Sequence, residues 1–228
     1  MTITDNAALY RLMAWLSPSY PVGAFSYSHG IEWLVEEGSI TNLDTLVAWL
    51  DELLTFGSGR NDALLFAAAW RAASSGHDNA LDEINALALA LAPSAERHLE
   101  TAAQGRAFSD ITRNAWDSPT LTRLAAASPV IAYPVAVGIA AADHGIGLDA
   151  ALHAYLHGFA ANLISAGVRL IPLGHTDGQR ALRAMEPITA RIATLGRDGT
   201  LDDLGSSAFA ADLAAMKHET QYTRLFRS

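Results

Sequence analysis

Apolar residues recur at the spacing of an α-helix through most of this chain, and no segment alternates apolar and polar residues over the length of a strand. The clearest helical face consists of Leu43, Leu46, Val47, Leu50, Leu53 and Leu54. Alanine is frequent, and alanine loses no side-chain entropy when it enters a helix. The sequence therefore predicts an all-α fold, a single-domain bundle of about ten helices that spans residues 1–228.

The segments 130–143 and 148–171 are the most apolar of the predicted helices. Because their apolar residues are not confined to one face, we expect these two helices to form a central buried pair. At the other end of the chain, Asp5 or Asn6 is the candidate N-cap of a short first helix.

The segment 160–182 predicts a fixed junction between two helices. An apolar stretch of helical period runs to Arg169, stops at the proline three residues later, and turns at Gly174. Thr176 and Gln179 have the spacing of a capping box, in which each side chain satisfies a free backbone N–H at a helix start. We therefore expect a new helix to begin at Thr176.

The charge distribution and the single lysine exclude two classes of function. The chain has a net charge of −9; residues 1–100 contain 13 acidic and 4 basic residues, whereas residues 101–228 contain 11 of each. An acidic half argues against nucleic-acid binding, which requires a basic surface. Lys217 is followed by His218, so the Gly-Lys-Ser/Thr sequence of a P-loop nucleotide hydrolase is missing.

The chain contains no cysteine, which excludes disulfides and thiolate metal sites and predicts a cytoplasmic protein. Its N-terminus has no basic region and no cleavage site, so we expect no signal peptide. The longest uncharged apolar run, 130–142, is shorter than the roughly 20 residues that a membrane span needs. We therefore expect no membrane association.

His153 and His157 stand four residues apart on a predicted helix, a spacing that metal sites use. No carboxylate lies between them, and Asp149 is the nearest on that face. The alternative is that both are structural histidines satisfied by backbone groups. Because no third ligand is evident, we assign no metal site and expect no stably bound cofactor, with at most a transient contact to a cation such as Ni²⁺.

Glu32, Glu36 and Glu37 form a second candidate cluster, directly after a Pro-Gly-Phe segment. The first interpretation of such a cluster is a solvated helix face, and the second is contact with a partner. Paired carboxylates could also serve in acid–base chemistry, but only inside a pocket, which the sequence does not reveal. We therefore assign these glutamates no catalytic role.

The tail, residues 217–228, ends in alternating arginine and apolar residues followed by a serine: Arg224, Leu225, Phe226, Arg227 and Ser228. Apolar residues flanked by arginines are typical of docking hot spots, so we expect the tail to dock on a partner. The alternative is that Leu225 and Phe226 pack back on their own domain.

Five stretches of the sequence together resemble the UreF family of urease accessory proteins: 17–38, 104–111, 133–146, 166–182 and 217–228. They follow the order of the family, and the helices between them have the expected lengths, so the resemblance covers essentially the whole chain. One departure is His175, because many family members carry glutamine after the Pro-Leu-Gly turn.

The resemblance implies an all-α, typically dimeric, non-catalytic chaperone. Proteins of this family join UreD, also called UreH, and the GTPase UreG on apo-urease, and nickel delivery follows GTP hydrolysis. By analogy, Arg224–Ser228 docks on UreD, and two further surfaces serve dimerisation and UreG. The candidate residues of those surfaces are Pro21, Gly23, Phe25, Ser28, Glu32, Arg169, Gly174 and Gln179.

Two other hypotheses remain open from the residues alone. One is a small all-α enzyme that uses His144, His153 or His157, and the other is a generic helical adaptor unrelated to nickel. The first predicts turnover by the purified chain, and the second predicts urease maturation that does not depend on this protein.

Overall fold

The computed structural model describes residues 6–228, and all regular secondary structure in that range is helical. The predicted all-α class and single domain are confirmed. Two 3₁₀ helices, Ala24–Ser26 and Leu201–Asp203, accompany the α-helices of this range. The α-helices are α1 Asn6–Trp15, α2 Ile31–Glu36, α3 Leu43–Phe56, α4 Ser58–Ser74, α5 Asp78–Ala90, α6 Ala95–Ala115, α7 Pro119–Ala127, α8 Tyr133–Asp143, α9 Leu148–Leu170, α10 His175–Asp198 and α11 Phe209–His218.

The core is organised around α4, which packs most extensively on α8 and also contacts α3, α5, α9 and α10. The expected central helices α8 and α9 are both deeply buried, but they touch each other little, and α9 packs instead along α10. Close packing of α4 on α8 depends on Gly138, because a Cβ atom there would lie 2.6 Å from the Phe66 carbonyl oxygen.

The helix α6 buries polar side chains, which is unusual for a helix of its length. Its buried positions include Glu96, Glu100 and Gln104, and the neighbouring Gly105 lies directly against the backbone of Ile131. A polar face that is withdrawn from water needs hydrogen-bond partners. Those partners come from the start and the end of the chain.

The corner before α10 differs in detail from the sequence prediction. The helix begins at His175 with Gly174 as its N-cap, and the Gly174 N–H donates to Asp177 Oδ2 at 3.3 Å. The predicted Thr176/Gln179 capping box is therefore wrong, since the side chain that reaches back belongs to Asp177. A capping side chain near the start of this helix was correctly expected. Two overlapping pairs have the required spacing of three residues, Gly174 with Asp177 and Thr176 with Gln179, and the structure uses the first.

Among residues 6–228, no helix is long and apolar enough to cross a membrane. Asp5, one of the two candidate caps of α1, lies outside the described residues, and Asn6 is the first residue of that helix.

Gly105 provides a test of the packing of α6. Replacing it with alanine would drive the new Cβ atom into the Ile131 carbonyl group, and we expect the Gly105→Ala variant to lose about 3 kcal/mol of unfolding free energy in urea denaturation. Gly158→Ala in α9 is the matched control, because its Cβ would meet Leu16 at an ordinary 3.7 Å. This control should be neutral or stabilised by up to about 1 kcal/mol. Equal changes in the free energy of unfolding of the two variants would contradict the close approach of Gly105 to the Ile131 carbonyl group.

Candidate functional site

The tail, residues 217–228, lies in a cradle formed by side chains that are distant in sequence. We call this set the tail cradle, and it consists of Ser28, Glu32, Glu96, Glu100 and Arg169. Four of the five are buried, and they come from the turn before α2, from α2 and from α6. Arg169 comes from the end of α9 and is exposed.

The turn before α2 contains two residues in left-handed backbone conformations, and these orient the turn towards the tail. His29 has φ 54° and Gly30 has φ 78°. A side chain at Gly30 would lie 2.9 Å from Ala214, so glycine also allows α11 to approach α2 closely. As a result, the start of α2 lies directly beside the helix that leads into the tail.

Glu32 is the main anchor of the tail. Its carboxylate accepts the backbone N–H groups of Leu225 at 2.7 Å and Phe226 at 3.0 Å, and Nε2 of His218 lies 3.0 Å from the same group. The side chain is only 7% exposed. The interpretation of the glutamate cluster as a solvated face is therefore wrong for Glu32, although Glu36 and Glu37 are exposed.

A second carboxylate, Glu96 on α6, holds the tail from the other side. Its Oε2 lies 2.7 Å from Nδ1 of His218, and its Oε1 accepts from Arg224 at 2.6 Å. His218 is completely buried between the two glutamates. The side chains of Glu32, Glu96, His218 and Arg224 thus form one connected polar cluster.

The last two residues are bound through their backbone as well. The Arg227 N–H donates to the Ser26 carbonyl at 2.7 Å, and the Ser28 N–H donates to the Ser228 carbonyl at 2.6 Å. The Ser228 hydroxyl donates to Glu100 at 2.8 Å. Two backbone bonds in succession fix the register of the tail against the segment 26–28.

Glu100 is charged despite its burial. Desolvation would raise its pKa, but Arg97, His29 and the Ser228 hydroxyl together outweigh that effect and hold the pKa at about 2. The partner His29 is in the opposite situation, because burial and then Arg97 lower its pKa. Its Nδ1 is buried without a hydrogen bond among the described residues, as a neutral ring allows.

Arg169 closes the cradle over the aromatic residue of the tail. Its guanidinium carbon lies 4.4 Å from the centre of the Phe226 ring, and its Nη2 donates to the Phe25 carbonyl at 2.8 Å. Stacking on an aromatic face is a favourable use of a guanidinium group. Arg169 therefore connects two of the segments that the sequence had singled out separately.

The tail divides its side chains between its own domain and solvent. Phe226 is 5% exposed, whereas Leu225 is 75% exposed and Tyr222 is fully exposed. The alternative that the pair packs back on its own domain is confirmed for Phe226 and wrong for Leu225. Docking of the tail on a partner stays a prediction.

The other predicted partner-binding residues lie on two separate features. Pro21, Gly23 and Phe25 border a cavity, and Phe25 is 66% exposed. Gly174 and Gln179 are exposed at the start of α10, and neither takes part in the hydrogen bonds described here for the tail. The structure therefore brings together Ser28, Glu32 and Arg169 with the tail and leaves the remaining candidates outside this cluster.

The cavity bordered by residues 17–25 has a volume of about 480 Å³ and reaches Asp62 on α4. The Tyr155 hydroxyl donates to Asp62 Oδ2 at 2.8 Å, and burial raises the pKa of Asp62 to about 6. Sequence reasoning missed Asp62, because a single aspartate on a helix carries no signal of burial. A second cavity of about 140 Å³ shares Asp62, Arg97 and Thr101 with the first.

Two of the three candidate histidines have structural partners. The His144 ring packs against Trp15 with centroids 5.0 Å apart, and His153 Nδ1 lies 2.8 Å from the Asp149 carbonyl. His157 is exposed at the border of the larger cavity. Within residues 6–228, no group of three or more His, Asp or Glu side chains is placed to hold a metal ion.

Comparison with known proteins supplies the family. The UreF family model matches residues 40–186, which is more than half of the chain. The chain belongs to the UreF family. A urease accessory protein UreF from Rhodopseudomonas palustris (strain BisB5) is 52% identical over 229 residues, which covers 100% of this chain and 94% of the relative.

A second UreF, from Bradyrhizobium diazoefficiens, is 57% identical over 226 residues and covers 98% of this chain and 93% of its own length. The family match spans α3 to the middle of α10, whereas the tail cradle draws on residues outside that range. The similarity to whole UreF proteins extends to those residues.

The importance of Glu32 can be measured by its removal. We expect Glu32→Ala to lower the free energy of unfolding by about 3 kcal/mol, because the buried His218 and two backbone N–H groups lose their acceptor. Glu37→Ala, on the exposed end of the same region, should change it by less than about 0.5 kcal/mol. Urea denaturation of both variants at pH 7 checks this. A similar, small loss in both would show that Glu32 does not anchor the tail.

Asp62 provides a pH-dependent prediction. Its folded-state pKa of about 6 lies above the ordinary 3.8, so between these values the folded chain binds more protons than the unfolded chain. Its contribution to the free energy of unfolding therefore falls as the pH rises from about 4 to 6. Asp62→Asn keeps an acceptor for Tyr155 and does not titrate, so its stability relative to the parent chain should rise through that window by up to about 3 kcal/mol.

Urea denaturation of both chains at several pH values from 4 to 7 measures this difference. Asp82→Asn, at an exposed position of α5, is the matched control and should show no such trend. A difference between Asp62→Asn and the parent chain that is constant across the range would contradict the raised pKa of Asp62.

Proposed function

We propose that this UreF-family chain is a non-catalytic chaperone and scaffold for urease maturation. It assembles with UreD, also called UreH, and with the GTPase UreG on apo-urease, it modulates the GTPase step, and nickel enters the urease active site in a GTP-dependent reaction. The printed name of its relatives, urease accessory protein UreF, supports the general role. The specific partners and the step that each performs are the proposed part.

The residues of the chain support an accessory protein that provides binding surfaces for partners, while another protein binds and hydrolyses the nucleotide. The sequence contains no Gly-Lys-Ser/Thr motif for a phosphate, and two of its candidate catalytic histidines have structural partners. A GTP-dependent reaction then requires a separate GTPase. UreG has this role in the proposal.

The observation that carries the proposal is the geometry of the tail. Its backbone is fixed by Glu32, Ser26 and Ser28, while Leu225 and Arg227 are exposed. A docking segment that is already ordered loses little conformational entropy on binding. An apolar residue beside an arginine on a fixed backbone suits a protein partner, and we assign UreD to it.

The remaining exposed candidates form the proposed surfaces for the other partners. Pro21 and Phe25 lie on the bend before α2, and Gly174 and Gln179 lie at the corner before α10. We assign these surfaces to dimerisation of this chain and to contact with UreG. The assembly is placed in the cytoplasm, where no disulfide is needed.

Nickel is the cargo of this proposal and is held only transiently by this chain. His153 and His157 supply imidazole donors without a thiolate, and the chain contains no cysteine. Tight structural or catalytic binding of a borderline cation ordinarily uses three or four protein ligands. The accessory assembly as a whole, rather than one UreF chain, then determines where the metal is released.

Copurification with the accessory proteins and apo-urease, followed by activation with nickel and GTP, tests the function. We expect Leu225→Ala to weaken binding to UreD by at least about ten-fold, because it removes an exposed anchor and leaves the backbone contacts of the tail in place. Phe56→Ala at the end of α3 is the matched control, because Phe56 is also a large apolar residue that is 50% exposed.

Equal binding of UreD by Leu225→Ala and the parent chain would refute the tail assignment. Urease activation that is complete without this chain would favour a generic adaptor. Turnover by the isolated chain that is lost in His144→Ala, His153→Ala or His157→Ala would favour the enzyme hypothesis.

A further inference from the structure

His218 faces a carboxylate at each of its ring nitrogens. Nδ1 lies 2.7 Å from Glu96 Oε2, and Nε2 lies 3.0 Å from Glu32 Oε2. The imidazole is 0% exposed, and the two glutamate side chains are 10% and 7% exposed. Both contacts have hydrogen-bond length and exclude water from the ring.

This arrangement satisfies both ring nitrogens only if it contains an additional proton. A neutral imidazole has one N–H and one acceptor nitrogen, and an ionised carboxylate can only accept. Two carboxylates around a neutral ring would therefore leave one nitrogen lone pair facing an oxygen lone pair. The Glu32–His218–Glu96 triad is satisfied only if it holds one more proton, either as an imidazolium or as a protonated carboxyl group.

The charge of the buried cluster leads to the same conclusion. Arg224, whose side chain is 40% exposed, contacts the buried Glu96, so the cluster contains one permanent positive charge at its rim and two carboxylates. The additional proton brings the total to zero, and buried groups of zero total charge cost far less to desolvate than an uncompensated anion. Loss of the proton would leave one net negative charge beneath the tail.

We propose that a proton shared by the Glu32–His218–Glu96 triad holds the tail closed, so that the tail opens at higher pH when the triad loses this proton. The coupling passes through Glu32, whose carboxylate binds both His218 and the N–H groups of Leu225 and Phe226. Because these contacts lie within one chain, the inference does not depend on the proposed partners.

The direction of the pH effect follows from the binding of the proton to the closed state. The closed tail gains its proton-mediated bonds at lower pH and loses them at higher pH, because only the protonated triad satisfies both glutamates. After deprotonation, Glu32 and Glu96 lose the positive group between them and repel each other. The tail amides that depend on Glu32 then become accessible to solvent.

The other charged groups around the triad have partners of their own. From α6, Arg97 is engaged with Glu100, and from the start of the tail the Glu219 carboxylate accepts the Ala95 N–H at 2.8 Å. His29, which faces Glu100, has a pKa lowered by its burial. On α11, Lys217 is exposed and burial raises the pKa of Asp212. None of these groups contacts the His218 ring among the hydrogen bonds and ion pairs described for residues 6–228.

Amide hydrogen exchange of the full chain by NMR tests the proposal. The observables are the protection factors of the Leu225 and Phe226 amides between pH 6 and 9, corrected for the intrinsic pH dependence of exchange, with the Phe66 amide of α4 as the reference for global unfolding. We expect the tail amides to lose at least about ten-fold in protection as the pH rises, and Phe66 to lose no more than the same factor and to stay better protected, because global unfolding releases the same proton. Protection of Leu225 and Phe226 that is independent of pH would overturn the proposal.

Glu96→Gln is the decisive variant. The new amide can donate to Nδ1 of a neutral His218, and its oxygen can still accept from Arg224, so the cluster no longer needs the additional proton. The variant should keep the tail amides protected at high pH and should lose most of the pH dependence. His98→Gln, at an exposed position of α6, is the control and should keep the profile of the parent chain.

A Glu96→Gln profile with the same loss of protection as the parent chain would refute the triad as the cause. Far-UV circular dichroism establishes whether the variant is folded. If it is not, the ¹⁵N shifts of the His218 ring in the parent chain decide the matter. A ring signal that titrates together with the loss of amide protection supports the proposal, and a ring signal and protection that titrate independently overturn it.

Discussion

A carboxylate without water is among the most costly groups that a fold can bury, and the structure is arranged around one of them, Glu32. Its burial is compatible with folding only because two backbone N–H groups and an imidazole surround it. This requirement links a helix of six residues near the start of the chain to the last residues of the tail. The ordering of the tail is therefore part of the solvation of Glu32.

The same requirement explains why α6 can be long, central and polar at once. Glu96, Glu100 and Gln104 succeed one another at intervals of four residues and form a polar stripe on one face of the helix. The tail covers that stripe with Arg224 and Ser228, and the turn before α2 covers it with His29. A helix that is apparently unsuited to a core thus becomes the framework on which both terminal regions are held.

The class of fold could be predicted from the sequence because helical periodicity is a local property. The bounds of α9 follow from the same property and from its flanking glycine and proline, and they differ from the expected 148–171 by one residue. The central role of α4 could not be predicted, because a helix buried on most sides has no polar face to set its period. The capping pair before α10 was ambiguous, since two pairs with the same spacing overlap.

The site was less accessible to sequence reasoning. The tail and Glu32 were singled out from the residues, and the involvement of Ser28 and Arg169 came from a resemblance to a family. The mutual contacts of these residues depend on the packing of α11 on α2 and α6. Glu32 and Glu37 are the same residue type in one short stretch, and only the turn at His29 and Gly30 decides which of them is buried. Asp62 is a further case, since its environment is created by Tyr155 from a different helix.

Arg169 has a consequence for how this surface responds to force. One guanidinium group covers the Phe226 ring and also holds the carbonyl of Phe25, and Asn162, two turns earlier on α9, holds the carbonyl of Ala24 at 2.8 Å. The bend that borders the larger cavity is thus suspended from α9 by two side chains, one of which it shares with the tail. A pull on the tail is therefore transmitted to the entrance of the cavity by two routes, through Arg169 on α9 and through the backbone hydrogen bond from Arg227 to Ser26.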